Sequence, residues 1–128
     1  MTTEGLGYMN SMFESLGIPY EFQIWNSPNI PNTYWVGEYI EIEPMNEDGL
    51  EESNFILTGT TNQRFIDLES VKETIKGHLG ITGKTAILDS GSGIAVLYSG
   101  SQQLPSVEYG VHRLQITMRI KEWRIDNE

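Results

Sequence analysis

The stretch HRLQITMRIKEWRI, His112 to Ile125, constrains the fold more than any other part of the chain. His112, Leu114, Ile116, Met118 and Ile120 form one alternate set, and Arg113, Gln115, Thr117, Arg119 and Lys121 form the other. Period-two alternation over so long a run demands a β-strand with one apolar face against a core and one basic face turned away from it. The phase then breaks, because Trp123 and Ile125 are odd-numbered. A bulge or bend near Ile120 is the expected remedy, keeping Trp123 covered.

The rest of the chain is organised around this strand. Leu6, Met9, Phe13 and Leu16 recur at helical spacing, with Thr3 as the expected cap and Gly17 as the stop. Gly5 and Gly7 weaken the first turn of that helix. YEFQIW, 20–25, alternates as a strand, and NSPNIPN, 26–32, is a loop because its prolines and asparagines deny it ladder bonds. TYWVGEYIEIE, 33–43, is a second strand, with Val36, Ile40 and Ile42 on one face and Tyr39, Glu41 and Glu43 on the other. PMNEDGLEES, 44–53, is expected to be a long acidic turn, and NFILTGT, 54–60, a third strand returning antiparallel to the second. Phe65, Leu68, Val71, Ile75 and Leu79 mark a helix, capped by Thr61 or Asn62, with Asp67 and Glu69 early, Lys72 and Lys76 late, and Gly80 as its stop. TAILD, SGSG and IAVLYSG read as a hairpin. The final strand spans about Tyr109 to Ile125. The order α-β-β-β-α-β-β-β predicts a single α+β domain: a largely antiparallel twisted sheet of about six strands with both helices packed on one face.

Charge is distributed unevenly. Residues 1–63 hold ten Asp or Glu and no Lys or Arg, whereas 64–128 hold eight acids and eight bases, so the first half carries the whole net charge of -10. The acids are densest between Glu38 and Glu52. Such a surface repels a free duplex and attracts a basic partner, or another copy offering its basic strand. Solubility alone accounts for the total charge but poorly for so long a stretch without a cation. With no cysteine, no basic-then-apolar leader and no run long enough to cross a bilayer, the chain is expected to be a soluble intracellular or virion protein that does not engage a membrane.

Signatures of chemistry are weak. ITGKT, 81–85, imitates a phosphate loop, but His78 stands where the first glycine is needed and the order is helix then strand. His78 and His112 are far apart and suit structural roles rather than a metal site. Glu41 and Glu43 share a strand face, a pattern more often surface than an acid–base pair. DGLEES lacks the ligand spacing of a calcium loop, and no serine sits in a nucleophile elbow. Trp25, Tyr34, Trp35 and Tyr39 lie in the acidic half, the wrong sign for stacking a nucleic-acid strand. The expectation is a non-enzyme with no cofactor and no metal.

The stretches EDGLEESNFILTGTT, RFIDLESVKETI and AVLYSGSQQLPSVEYGVHRLQITMRIKEWRI, which lie between residues 47 and 125 with Gly80–Gly93 as a local variation, resemble the tail terminator proteins of long-tailed bacteriophages of Gram-positive bacteria. The resemblance implies a structural virion protein at the head-proximal end of the tail, present in the host cytoplasm during assembly. It implies a homohexameric ring that caps the tail tube protein, ends tube polymerisation and meets the head-completion or neck protein while genomic DNA passes through its lumen. A ring needs a head-to-tail contact between unlike surfaces. Arg113, Arg119 and Lys121 are therefore candidates for inter-subunit contact, with Trp35, Tyr39 and Trp25 supplying apolar area or, alternatively, sheet packing. Glu41, Glu43, Glu47, Asp48, Glu51 and Glu52 are candidates for the lumen or the tail-tube contact, since acidic walls keep a duplex from sticking. Another head–tail connector or a tail tube component remains an alternative, as does an acidic DNA mimic that blocks an enzyme.

Overall fold

A computed structural model describes residues 1–44, 46–106 and 108–124. Its elements are α1 (Thr3–Ser15), β1 (Tyr20–Phe22), β2 (Thr33–Glu43), β3 (Leu50–Thr61), α2 (Phe65–Leu79), β4 (Lys84–Ile87), β5 (Gly93–Leu104) and β6 (His112–Trp123), in the order that the periodicity predicts. The six strands form one sheet in the order β1-β2-β3-β6-β5-β4. All neighbours are antiparallel except β1 and β2, which run parallel.

The two central strands show why the sheet forms. Burial alternates without a break along β3, and it alternates along β6 from Leu114 to Trp123. Phe55 and Leu57 of β3 point to the same face as Leu114, Ile116, Met118 and Ile120 of β6. Met9, Met12 and Phe13 of α1 and Leu68, Ile75 and Leu79 of α2 cover that face, so both helices lie on one side. Each fully buried side chain of this kind contributes about 1.5–3 kcal/mol. Trp35 of β2 joins the same core, its ring lying over Gly59 of β3.

Several boundaries differ from the sequence expectations. β1 stops at Phe22 because Gln23 takes φ 68, and it pairs with β2 in parallel, the one departure from an antiparallel sheet. The Glu21 carboxylate then accepts the Asn26 and Ser27 amides, which folds the following loop. The acidic turn is shorter than 44–53, since Glu51 and Glu52 already belong to β3. Asn46 closes it, its Oδ1 accepting the amides of Asp48 and Leu50 at 2.9 and 3.0 Å. Thr2, not Thr3, caps α1, its hydroxyl accepting the Gly5 amide at 2.9 Å. Neither Thr61 nor Asn62 caps α2; Arg64 is the cap residue, and Asp67 accepts its amide at 3.2 Å. Gly17 and Gly80, both at φ 72, follow the two helices as stops.

The phase break in β6 also has a different resolution. The register of β3 on β6 runs unbroken from Thr61 opposite His112 to Leu50 opposite Trp123. There is no bulge. Glu122 takes the inward position, only 3 % exposed, and Trp123 turns outward at 42 %. Ile125 lies outside the described residues. The register irregularities fall instead in β2, between Glu41 and Glu43, and in β5, between Tyr98 and Gly100.

Candidate assembly surface

Among the described residues, no helix or second sheet covers the sheet face away from the helices. Arg113, Gln115, Thr117, Arg119, Lys121 and Trp123 of β6 run along its middle, opposite the even-numbered residues of β3. Glu52 of β3 stands directly across from Lys121 and diagonally from Arg119. Its carboxylate accepts from Arg119 Nη2 at 2.7 Å, and Lys121 Nζ lies 3.8 Å from its other oxygen. The Arg119 hydrogen bond, supported by the charges of Arg119 and Lys121, holds the Glu52 carboxyl below its usual range. Exposed apolar side chains flank this ion-pair row. Ile40 of β2 is 59 % exposed, and Ile87 of β4, in the same row as Trp123 by way of Gly93, is 78 % exposed.

The other faces of the acidic segment are already engaged. Glu122 accepts the Thr2 amide, at 3.1 Å to one carboxylate oxygen and 3.3 Å to the other. A carboxylate from β6 thus sits at the positive end of α1 and ties that helix to the sheet. Gly5 makes this possible, because a Cβ there would collide with the Glu122 carboxylate. Beside it, Glu51 is buried and takes a hydrogen bond from the Met1 ammonium at 2.7 Å, while Glu41 takes a second at 3.2 Å. Burial, then the neighbouring Glu41, pushes Glu51 up. Glu51, then the ammonium, holds Glu41 down. The burial of Glu51 and the hydrogen bond between the two carboxyls drive them apart, while the Met1 ammonium lowers both.

The candidate residues from the sequence therefore separate. Of the six acids, Glu43, Glu47 and Asp48 are exposed around the β2–β3 turn, and the register shift sets Glu43 opposite Glu52 rather than on the face of Glu41. Glu41, Glu51 and Glu52 are held by the chain itself. Of the contact set, Trp35 is 0 % exposed and offers no surface to another molecule. Tyr39 lies at the rim, stacked on Phe22 with ring centroids 6.1 Å apart. Trp25 is folded back on its own loop, its Nε1 donating to the Asn29 carbonyl and its ring 5.6 Å from Tyr34. Arg119 and Lys121 share Glu52. Arg113 stands apart from them, lining an open cleft of about 580 Å³ with Tyr34, Thr60, Pro105 and Glu108. Sequence reasoning missed Glu122. Its signal was the phase break itself.

Among the described residues, no cluster of three or more His, Cys, Asp or Glu side chains is arranged to hold a metal ion, and no helix is long and apolar enough to cross a membrane. No protein-family model matches the sequence, and no curated protein matches it.

Proposed function

We propose that this chain is a structural subunit of a phage tail, forming a ring that caps the tail tube, ends its polymerisation and joins it to the head or neck. The observation that carries the proposal is the uncovered sheet face. A row of cations partly answered by Glu52, flanked by exposed isoleucines and Trp123, has the mixed character of a protein-binding surface rather than of a solvated one. The order of elements fits the same assignment, as does the resemblance of residues 47–125 to tail terminators. Glu43, Glu47 and Asp48 remain as the acids free to face a lumen or a tube, where their charge would keep passing DNA from adhering. Because Arg119 and Lys121 are engaged within the subunit, the outer face must bind through its apolar side chains more than through ion pairs, each of which would contribute only ~0.2–1 kcal/mol.

The test is electron microscopy of tails assembled with and without the protein. Tubes of defined length in its presence and of unregulated length in its absence are expected. Normal tube lengths without it remove the capping role.

A further inference from the structure

The sheet ends in two open half-edges, and they are complementary. β1 pairs with β2 only as far as Gly37, so among the described residues no strand lies on the side of Glu38–Glu43 that faces away from β3. β4 pairs with β5 only over Gly93–Val96, so among the described residues the part up to Leu104 is equally bare on the side away from β6. All six side chains of β2 from Glu38 to Glu43 are exposed, in contrast to the alternation of β3. A single row crosses the sheet through Glu38, Ile56, Thr117 and Gly100. The free half of β2 extends from this row toward one end of the sheet, and most of the free half of β5 extends toward the other.

Resting on the ring reading, we propose that successive copies join by sheet continuation, the Glu38–Glu43 edge of one copy adding to the Tyr98–Leu104 edge of the next. Direction permits this. β2 and β5 run antiparallel within the sheet, so two copies in the same orientation bring them together as an antiparallel pair, the more stable ladder. Shape permits it once the copies are offset along the strands, so that β1 and β4, which project beyond β2 and β5, lie past the ends of the paired segment. The copies slide past one another by roughly 10–20 Å at about 3.3 Å per residue, the kind of stagger that tilts strands in closed sheets.

Hydrogen-bonding groups are available on both sides. The Trp35 amide donates to Pro19 and the Gly37 carbonyl accepts from Gln23, so odd residues of β2 direct their backbone away from β3. Tyr39 and Glu41 continue that series into the open edge. The same alternation carried across β3 and β6 directs Ser101 and Gln103 of β5 outward. Charge selects the partner. Two β2 edges would set Glu38, Glu41 and Glu43 against their own copies, which is unfavourable. The β5 edge carries no acid, and Lys76 lies beside it, 5.1 Å from the Tyr98 ring centroid. Head-to-tail contact closes both edges at once, whereas a symmetric β5–β5 contact leaves β2 open. Long open edges are otherwise an aggregation hazard.

The chain has no cysteine, which makes cross-linking decisive. Ile40→Cys and Gln102→Cys sit on the same sheet face. Within one copy they are separated by three strand spacings, about 14 Å or more, beyond disulfide reach. Mixing the two single variants under oxidation is expected to give a covalent dimer that Ile40→Cys alone does not give. Gln103→Pro removes an outward amide and is expected to weaken assembly about tenfold or more, while Gln103→Ala leaves it unchanged. Ring formation by the full chain, alone and on tail tubes, is followed in parallel by native mass measurement and microscopy. Rings that form without the mixed cross-link and survive Gln103→Pro overturn the edge pairing and leave the capping role standing. The mixed cross-link in open chains, with no ring on tubes, upholds the pairing and overturns the ring. A chain that stays monomeric on its own and on tubes overturns both.

Discussion

Gly59 lies beneath the Trp35 ring, and replacing it should reveal how tightly the sheet is packed there. A Cβ built on Gly59 would lie 2.6 Å from Trp35 Cη2 and Cζ3 and 2.7 Å from Cε3, all atoms of the six-membered ring. Trp35 has no room to yield, since it is wholly buried in the core. A strand glycine replaced by alanine normally gains about 0.5–1 kcal/mol in backbone entropy, and overpacking a core costs about 1–3 kcal/mol. The net expectation for Gly59→Ala is a loss of roughly 1–2 kcal/mol. Trp35→Phe removes the atoms responsible, and it also removes an indole N–H that is buried without a partner among the described residues. In that background Gly59→Ala should become neutral or favourable. The coupling between the two sites is then about 1–3 kcal/mol, read from a double-mutant cycle of urea unfolding followed by circular dichroism. Equal costs of Gly59→Ala in both backgrounds would show that the ring and the glycine are not in contact, and the placement of β2 on β3 would have to change.

Other perturbations address the helices and the ion pairs. Glu122→Ala leaves the Thr2 amide without its acceptor and should cost about 1–3 kcal/mol in thermal unfolding; an unchanged midpoint would remove Glu122 from the docking of α1. Gly7→Ala, where an added Cβ meets nothing within 4 Å, should stabilise α1 by about 0.5–1 kcal/mol in the same assay. Because the Glu52 pKa is depressed in the folded state, its contribution is present above the ordinary value of 4.5 and is lost as pH falls through the folded value. Arg119→Ala should therefore raise the Glu52 titration midpoint by NMR and flatten the acid limb of the stability curve; an unmoved midpoint refutes the pairing.

How far the sequence foretold these features depends on what fixes each one. β3 and β6 were legible because each is buried on one face only, so the period of two is written directly in residue type. β2 told of two faces but not which was covered, since both carry apolar groups; Trp35 over Gly59 decides it, leaving Ile40 outward. The parallel pairing of β1 could not be read, because a three-residue strand takes its partner from the loop that carries it rather than from its own pattern. The basic row on β6 was legible, but its answer by Glu52 was not, for that requires the register of a strand more than fifty residues away. Glu122 is the most instructive case. A charged residue at an inward position looks like a slipped phase, and a glycine in the first turn of a helix looks like a weak start. They are two halves of one contact: the carboxylate needs the α1 amide to be buried, and the helix needs a residue without a side chain to let the carboxylate approach.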